Sequence, residues 1–328
     1  MIHSQTVMAQ SEANTKRSLV GRSVLTLRDY TADEIVTLLD TSVQVKAEKR
    51  RGERHRRLEG YSIALLFEKR STRTRCAFET AFGEEGGYPV FLSPQDIHLG
   101  VKETVEDTAR VLGRMFDCIQ FRGYSQTTVE RLAEYAGIPV YNGLTDRFHP
   151  TQALADLMTL REQRGTLEDA VLTYVGDGRN NVATSLLIAC ATLGVTCRIA
   201  SPVSLKPTEE TIELAEERAQ GRSSKPQLFE DPVAAVDGAD AVYTDVWTSM
   251  GEEAQKSERM ELLQPYQVNA ELMKSASSNA IFLHCLPAVK GNEVTEEVFE
   301  SSVSRVFEQS ENRKHTIKAI LLHTLGLV

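Results

Sequence analysis

Short apolar runs alternate with longer amphipathic ones along most of this 328-residue chain, and the alternation comes in two blocks. In the first block, Tyr61–Phe67 is an apolar strand, followed by a helical pattern from Thr72 to Gly86. Pro89–Leu92 is a further strand. Val105–Phe116 carries Val105, Ala109, Leu112 and Met115 at helical spacing. Cys118–Phe121 and Ile138–Tyr141 are strands separated by the helix Thr127–Tyr135. The second block follows Pro150. It reads helix Thr151–Glu162, strand Val171–Val175, helix Asn181–Leu193, strand Thr196–Ala200, helix Thr208–Ala219 and strand Ala241–Asp245. Strand Ile281–His284 and a last helix, Ser310–Leu325, complete it.

Strands that alternate with helices pair in parallel, because a parallel pair needs a crossover connection. The expected fold class is therefore α/β, with two doubly wound parallel-sheet domains joined by long helices. A domain commonly runs to ~100–200 residues, which also gives two. The expected division is residues 18–150 with 310–328 in one domain and 151–309 in the other. Residues 1–17 are polar, without an apolar core or a helical stripe, and read as a disordered leader rather than a secretory signal.

Ligands of such sheets lie beyond the carboxyl ends of the strands. Chemistry should therefore sit just after the strands. The run Ser71-Thr72-Arg73-Thr74-Arg75 follows the first strand and opens a helix. Ser71 suits the N-cap, and the first-turn amides of a helix lack internal partners. With hydroxyls and guanidinium forks added, the run reads as an anion site. A plain capped helix with solvent-facing arginines is the bland alternative. Arg122-Gly123 follows the strand Cys118–Phe121, so Arg122 either faces the same site or the solvent. In His149-Pro150-Thr151-Gln152, Pro150 suits the first turn of a helix. His149 and Gln152 then stand near its mouth, where both can donate to a carbonyl oxygen. A capping histidine fits that place too.

In the second block, Gly176-Asp177-Gly178-Arg179-Asn180-Asn181 follows a strand. A dinucleotide fingerprint needs a third glycine near Asn181 and an acidic residue ending the next strand. The chain has Asn181, and Ser201-Pro202 after the next strand, so no nicotinamide cofactor is expected. Asp245 precedes Val246-Trp247-Thr248-Ser249-Met250-Gly251. It can bind an amine, and Gly251 gives the loop freedom; a surface loop capped by Ser249 is the alternative. His284-Cys285-Leu286-Pro287 follows the last strand. Neighbouring residues on a strand face opposite ways, so a Cys–His dyad is not expected. The backbone carbonyls before Pro287 are better acceptors for an amine. Arg313, near the start of the final helix, is placed to fold back onto the anion site.

Several classes are excluded. Lys and Arg total 37 against 46 Asp and Glu, a net charge of −9, which argues against a nucleic-acid or acidic-membrane binder. A few focused arginines still suffice for a small anion. The cysteines 76, 118, 190, 197 and 285 form no CxxC pair and no zinc pattern, so no metal is expected and a reducing, cytoplasmic setting is. No apolar run reaches the ~20 residues of a membrane helix. P-loop, GxSxG and HExxH motifs are missing from the sequence.

Taken together, these motifs resemble the aspartate/ornithine carbamoyltransferase family from about Leu19 to Leu325. Ser71-Thr72-Arg73-Thr74-Arg75 is similar to its carbamoyl-phosphate motif, and His149-Pro150-Thr151-Gln152 to its second signature. Asp245 with Ser249-Met250-Gly251, and His284-Cys285-Leu286-Pro287, resemble the ornithine branch. Putrescine enzymes typically carry a different loop at the first of these places, and aspartate enzymes lack the second pattern.

The resemblance implies the transfer of a carbamoyl group from carbamoyl phosphate to the δ-amine of L-ornithine, without a cofactor. Ser71, Thr72, Arg73, Thr74 and Arg313 are implied to hold the phosphate. Arg122, His149 and Gln152 are implied at the carbamoyl end, and Asn181, Asp245, Ser249 and Met250 around ornithine. Cys285 and the Leu286 carbonyl would flank the reacting amine, leaving Arg73, Arg122, His149 and Cys285 as the catalytic set. The first domain would be the carbamoyl-phosphate domain and the second the ornithine domain. A homotrimer or an assembly of trimers is implied, each site borrowing a residue from a neighbour. That residue is often a glutamine; His98 stands at the matching place here and would add a pH dependence. The segment after Ala288 is also short. Carbamoylation of putrescine or another amine, and a catalytically silent anion-binding homologue, are the alternatives.

Overall fold

The computed structural model describes residues 19–93, 95–97, 102–219, 225–248 and 256–328. The expected leader 1–17, His98, Ser249, Met250 and Gly251 lie outside the described residues. The chain divides into two compact units, Met1–Thr151 with Arg313–Val328, and Gln152–Asn312.

The first unit carries β1 (Ser62–Phe67), β2 (Tyr88–Leu92), β3 (Cys118–Arg122) and β4 (Val140–Leu144), in the order β2-β1-β3-β4. All pair in parallel. β1 and β3 are central and almost wholly buried, which is why they read as continuous apolar runs rather than alternating ones. Ala64, Leu66, Ile119 and Phe121 pack against Leu112, Val129 and Leu132 from the covering helices. Each Val, Leu, Ile or Phe among them contributes about 1.5–3 kcal/mol by leaving water.

The fourth strand differs from the sequence expectation of Ile138–Tyr141. Pro139 has no N–H to give the ladder; its carbonyl accepts from Ile119 N at 2.9 Å, and the strand proper starts at Val140. It then runs on to Leu144 through a bulge. Phe121 pairs with Asn142 but Arg122 with Leu144, leaving Gly143 as the extra residue. A Cβ on Gly143 would fall 2.4 Å from Gln120 Nε2 and 3.2 Å from Phe121 O, so a larger residue there requires Gln120 to move.

The helix Ala32–Arg50 was not read from the sequence. It has a capping box: Thr31 Oγ1 accepts from Glu34 N at 3.2 Å, and Glu34 Oε2 accepts from Thr31 N at 2.8 Å. Ile35, Leu38, Leu39 and Val45 form its buried stripe. The last helix, Val306–Thr324, begins four residues before the expected Ser310.

The second unit holds β5 (Val171–Val175), β6 (Thr196–Ala200), β7 (Gln227–Phe229), β8 (Ala241–Thr244) and β9 (Ile281–His284), in the order β7-β6-β5-β8-β9, again parallel. β7 is a three-residue edge strand with an exposed Leu228, which explains its lack of an apolar signal. Val175, Val242, Trp247, Leu263, Phe282 and Phe299 form the core on one side. The helix Asn181–Leu193 is buried almost throughout from Val182 to Thr192. No helix among the described residues is long and apolar enough to cross a membrane.

The strand orders fix where each unit can bind. In the first, the chain moves from β1 outward to β2, then returns to β3 on the other side of β1. In the second it moves from β5 to β6 and β7, then returns to β8. The crevices outside the carboxyl ends of β1/β3 and of β5/β8 are therefore the switch points at which such sheets bind ligands.

Candidate active site

At the switch point of the first unit, Ser71 caps the helix Thr72–Glu84 as its position after β1 predicts, its hydroxyl accepting from Thr74 N at 3.2 Å. Thr74 is fully buried, and two guanidiniums meet on its hydroxyl. Arg122 Nη1 and Arg313 Nη2 each donate to Thr74 Oγ1 at 3.1 Å. Arg122 leaves the end of β3, and its Nη1 also reaches Gly143 O at 3.4 Å. Arg313 reaches Thr151 Oγ1 at 3.4 Å. Both arginines are more than nine-tenths buried. Such a concentration of cationic donors beside a helix N-terminus favours a small multivalent anion.

His149 is buried immediately before the helix Pro150–Arg164. Burial pushes its pKa well below the usual 6.5, and the charges of Arg313, Arg122 and Arg73 push it further. The ring is therefore a neutral imidazole, able to donate from one nitrogen without adding charge. The first unit thus brings together Ser71, Thr74, Arg122, His149 and Arg313. Arg73 is half-buried within the electrostatic reach of His149, and Thr72 is exposed. Gln152 falls in the second unit, where its Nε2 donates to Asp156 Oδ1 at 2.8 Å.

At the switch point of the second unit, Gly176 takes a positive φ of 139°, which favours glycine and lets the chain turn off β5. Asn180 caps the next helix through Val182 N at 2.7 Å, and its Nδ2 donates to Asp245 Oδ2 at 3.0 Å. Asp245, just past β8, also accepts the Cys285 thiol on Oδ1 at 3.0 Å. Asn181 is the first residue of the helix, half-buried beside this cluster.

Arg259 ties the region together. Its Nε donates to Trp247 O at 2.7 Å, and its Nη2 pairs with Asp177 in a buried salt bridge. The sequence reading missed Arg259 and Asn180. Arg259 sits amid ordinary helix composition and carries no local motif. Asn180 had a signal, since an Asn ahead of an apolar helix is a strong cap.

The turn after β9 is also fixed by side chains. His284 Nδ1 accepts from Leu286 N at 2.8 Å, and its Nε2 meets Glu293 Oε1 at 3.1 Å. Glu293 Oε1 holds Val289 N at 2.6 Å as well. Leu286 has a φ of 60° and precedes a cis proline peptide. His284 and Cys285 have separate partners and form no dyad. The ligand atoms of Asp245, His284 and Cys285 lie within 4.8 Å of one another, a mixed donor set of the kind zinc accepts. Both His284 nitrogens are already engaged, so an ion would displace an existing bond.

Residues 22–162 match the family described as aspartate/ornithine carbamoyltransferase, carbamoyl-P binding domain. Residues 168–324 match its Asp/Orn binding domain. The ornithine carbamoyltransferase of Caldanaerobacter subterraneus subsp. tengcongensis is 61% identical over 309 residues, covering 94% of this chain and 99% of the relative. The catabolic ornithine carbamoyltransferase of Streptococcus ratti is 54% identical over 324 residues, covering 93% and 96%. Among solved structures, the ornithine carbamoyltransferase from Pyrococcus furiosus superposes with a TM-score of 0.91 at 48% identity, covering 94% of this chain and 98% of that one. Two parallel sheets, an anion cradle after β1 and β3, a carboxylate–thiol pair after β8 and β9, and similarity along nearly the whole length agree: the chain belongs to the aspartate/ornithine carbamoyltransferase family.

Proposed function

We propose that the chain transfers the carbamoyl group of carbamoyl phosphate to the δ-amine of L-ornithine, giving L-citrulline and phosphate. The observation that carries this reading is the 61% identity, over 94% of the chain, to a protein named ornithine carbamoyltransferase. The site geometry supports it. Carbamoyl phosphate binds to the first unit, its phosphate held by Ser71, Thr72, Arg73, Thr74 and Arg313. Arg122 bridges toward the carbamoyl oxygen, where His149 and Gln152 also donate. Ornithine is held by Asn181, Asp245, Ser249 and Met250, and Cys285 with the Leu286 carbonyl flanks the δ-amine.

The amine nitrogen attacks the carbamoyl carbon, and the bond from that carbon to the phosphate oxygen breaks. As the carbamoyl oxygen gains charge, Arg122, His149 and Thr74 bind it more strongly. One such donor is worth ~3–4 kcal/mol. A free δ-amine has a pKa of ~10.4, like lysine, so the site must favour its neutral form; nearby arginines do so, and the leaving phosphate accepts the proton.

The assembly is a homotrimer or a multiple of one, with His98 offered to a neighbouring site. A solution mass of three times 36.5 kDa, or a multiple of that, is the expected result. All five cysteines are free thiols, which suits the cytoplasm.

Product formation with L-ornithine, putrescine, L-aspartate and N-acetylornithine in parallel tests the function. Citrulline from L-ornithine with little turnover of the others is expected. Preference for putrescine would overturn the amino-acid half of the site. Binding of carbamoyl phosphate without turnover of any amine would make the chain a silent anion binder.

A further inference from the structure

The run that ends in His149 is held by a buried polar network built on Thr145, Asn142 and Gln126. Thr145 is fully buried at the end of β4. A hydroxyl has one proton and two lone pairs. The proton goes to Gln126 Oε1 at 2.7 Å. The lone pairs face Phe148 N at 3.3 Å and Asn142 Nδ2 at 3.3 Å. Thr145 N closes the turn on Phe148 O at 3.0 Å. Thr145 thus grips both the N–H and the C=O of the residue that precedes His149.

The network is anchored at its far side. Asn142 is fully buried; its Nδ2 donates to Leu25 O at 2.9 Å and Gln126 Oε1 at 3.2 Å, and its Oδ1 accepts from Leu144 N at 2.9 Å. Gln126 begins the helix Gln126–Ala136, and its backbone N donates to Asp146 Oδ1 at 2.9 Å. Three elements, β4, that helix and the turn 145–148, are therefore locked to one another by side chains. Pro150 fixes the backbone on the other side of His149.

We propose that Thr145, supported by Gln126 and Asn142, is a positioning residue for the transfer reaction, setting the His149 imidazole against the carbamoyl oxygen. The proposal rests on the role assigned to His149 above. A buried turn needs its polar groups satisfied, but any satisfied turn would serve stability. Here the Phe148 carbonyl is held by Thr145 N, but its N–H is held by the Thr145 hydroxyl at 3.3 Å, so replacing that hydroxyl by a methyl is expected to shift Phe148 and with it the next residue. A displacement near 1 Å at a reacting group lowers a rate by about 100-fold.

The test compares Thr145→Val, Thr145→Ser and His149→Gln in the full-length protein. Readouts are kcat, KM for both substrates, and the ring resonances of histidine-labelled protein, with the His149 signal assigned by its loss in His149→Gln. Thr145→Val is expected to lower kcat about 10- to 100-fold, to leave KM for ornithine within about twofold, and to move the His149 resonance. Thr145→Ser, which keeps the oxygen, is expected to restore both rate and resonance. Should Thr145→Val not fold, Gln126→Leu removes the acceptor from the opposite helix and is expected to give the same split. A Thr145→Val enzyme of unchanged kcat and resonance, with only a lowered melting temperature, overturns the proposal. If His149→Gln itself keeps full activity, the reading of His149 fails first. If His149→Gln is crippled while Thr145→Val is not, only the positioning role fails.

Discussion

Cys285 donates its thiol proton to the carboxylate of Asp245 at 3.0 Å, joining the ends of two adjacent strands, β9 and β8. With Asn180 on its other oxygen and Val246 N on Oδ1 at 2.8 Å, the carboxylate is a fixed and largely buried anion. It is thereby prepared for a cationic or amine ligand. Asp245→Asn keeps the shape and removes the charge. A hydrogen bond to a charged group is worth about 1.5–3 kcal/mol, so KM for ornithine should rise about 10- to 150-fold. Carbamoyl phosphate binding, measured by calorimetry, should be unchanged because the residues assigned to its phosphate, Ser71 to Thr74 and Arg313, lie in the first unit. An unaltered KM for ornithine removes Asp245 from the ornithine site.

Thr74 offers a sharper test of the anion cradle. Two buried guanidiniums share its hydroxyl as acceptor. Thr74→Val preserves volume and removes the acceptor that the two charged N–H groups share. Stability should fall by about 1.5–3 kcal/mol, the usual worth of a hydrogen bond to a charged group. Affinity for inorganic phosphate should fall with it, while Thr74→Ser should recover both. If the valine variant keeps its denaturation midpoint and its phosphate affinity, the shared hydroxyl does not organise the two arginines.

Much of this was legible in the sequence because the signals were local. A parallel sheet buried on both faces announces its strands as short apolar runs, and Val171–Val175 and Ile281–His284 begin and end where the pattern places them. The anion cradle was legible because a Ser-capped helix after a strand is written in consecutive residues. Three things were hidden. β4 is displaced because Pro139 and the Gly143 bulge reset the pairing, and a bulge depends on the partner strand. The bond from Asn180 to Asp245 joins residues 65 positions apart, so the cap was legible but its partner was not. Arg259 is separated from Asp177 by 82 positions, so no local pattern could announce the pair. Contacts made by the folded chain alone leave little trace in neighbouring residues.

The protonation of His149 carries the last prediction. Its folded pKa lies well below 6.5 because it is buried and faces Arg313, Arg122 and Arg73. The unfolded chain takes up a proton on this ring near pH 6.5, while the folded chain does not. Above that value the two states bind the same number of protons, and His149 adds no pH dependence. Below it the unfolded state gains a proton, so stability is lost as pH falls, by about 1.4 kcal/mol per pH unit until the folded ring also titrates. His149→Gln cannot take up that proton. Denaturant melts of the parent and the variant from about pH 8 to about pH 5 should run parallel at the alkaline end and converge toward acid, the parent losing more. The difference between the two curves isolates this ring from the other six histidines. Parallel curves over the whole range would mean that the ring titrates normally. The arginines would then not converge on it, and the neutral donor at the carbamoyl oxygen would be lost from the mechanism.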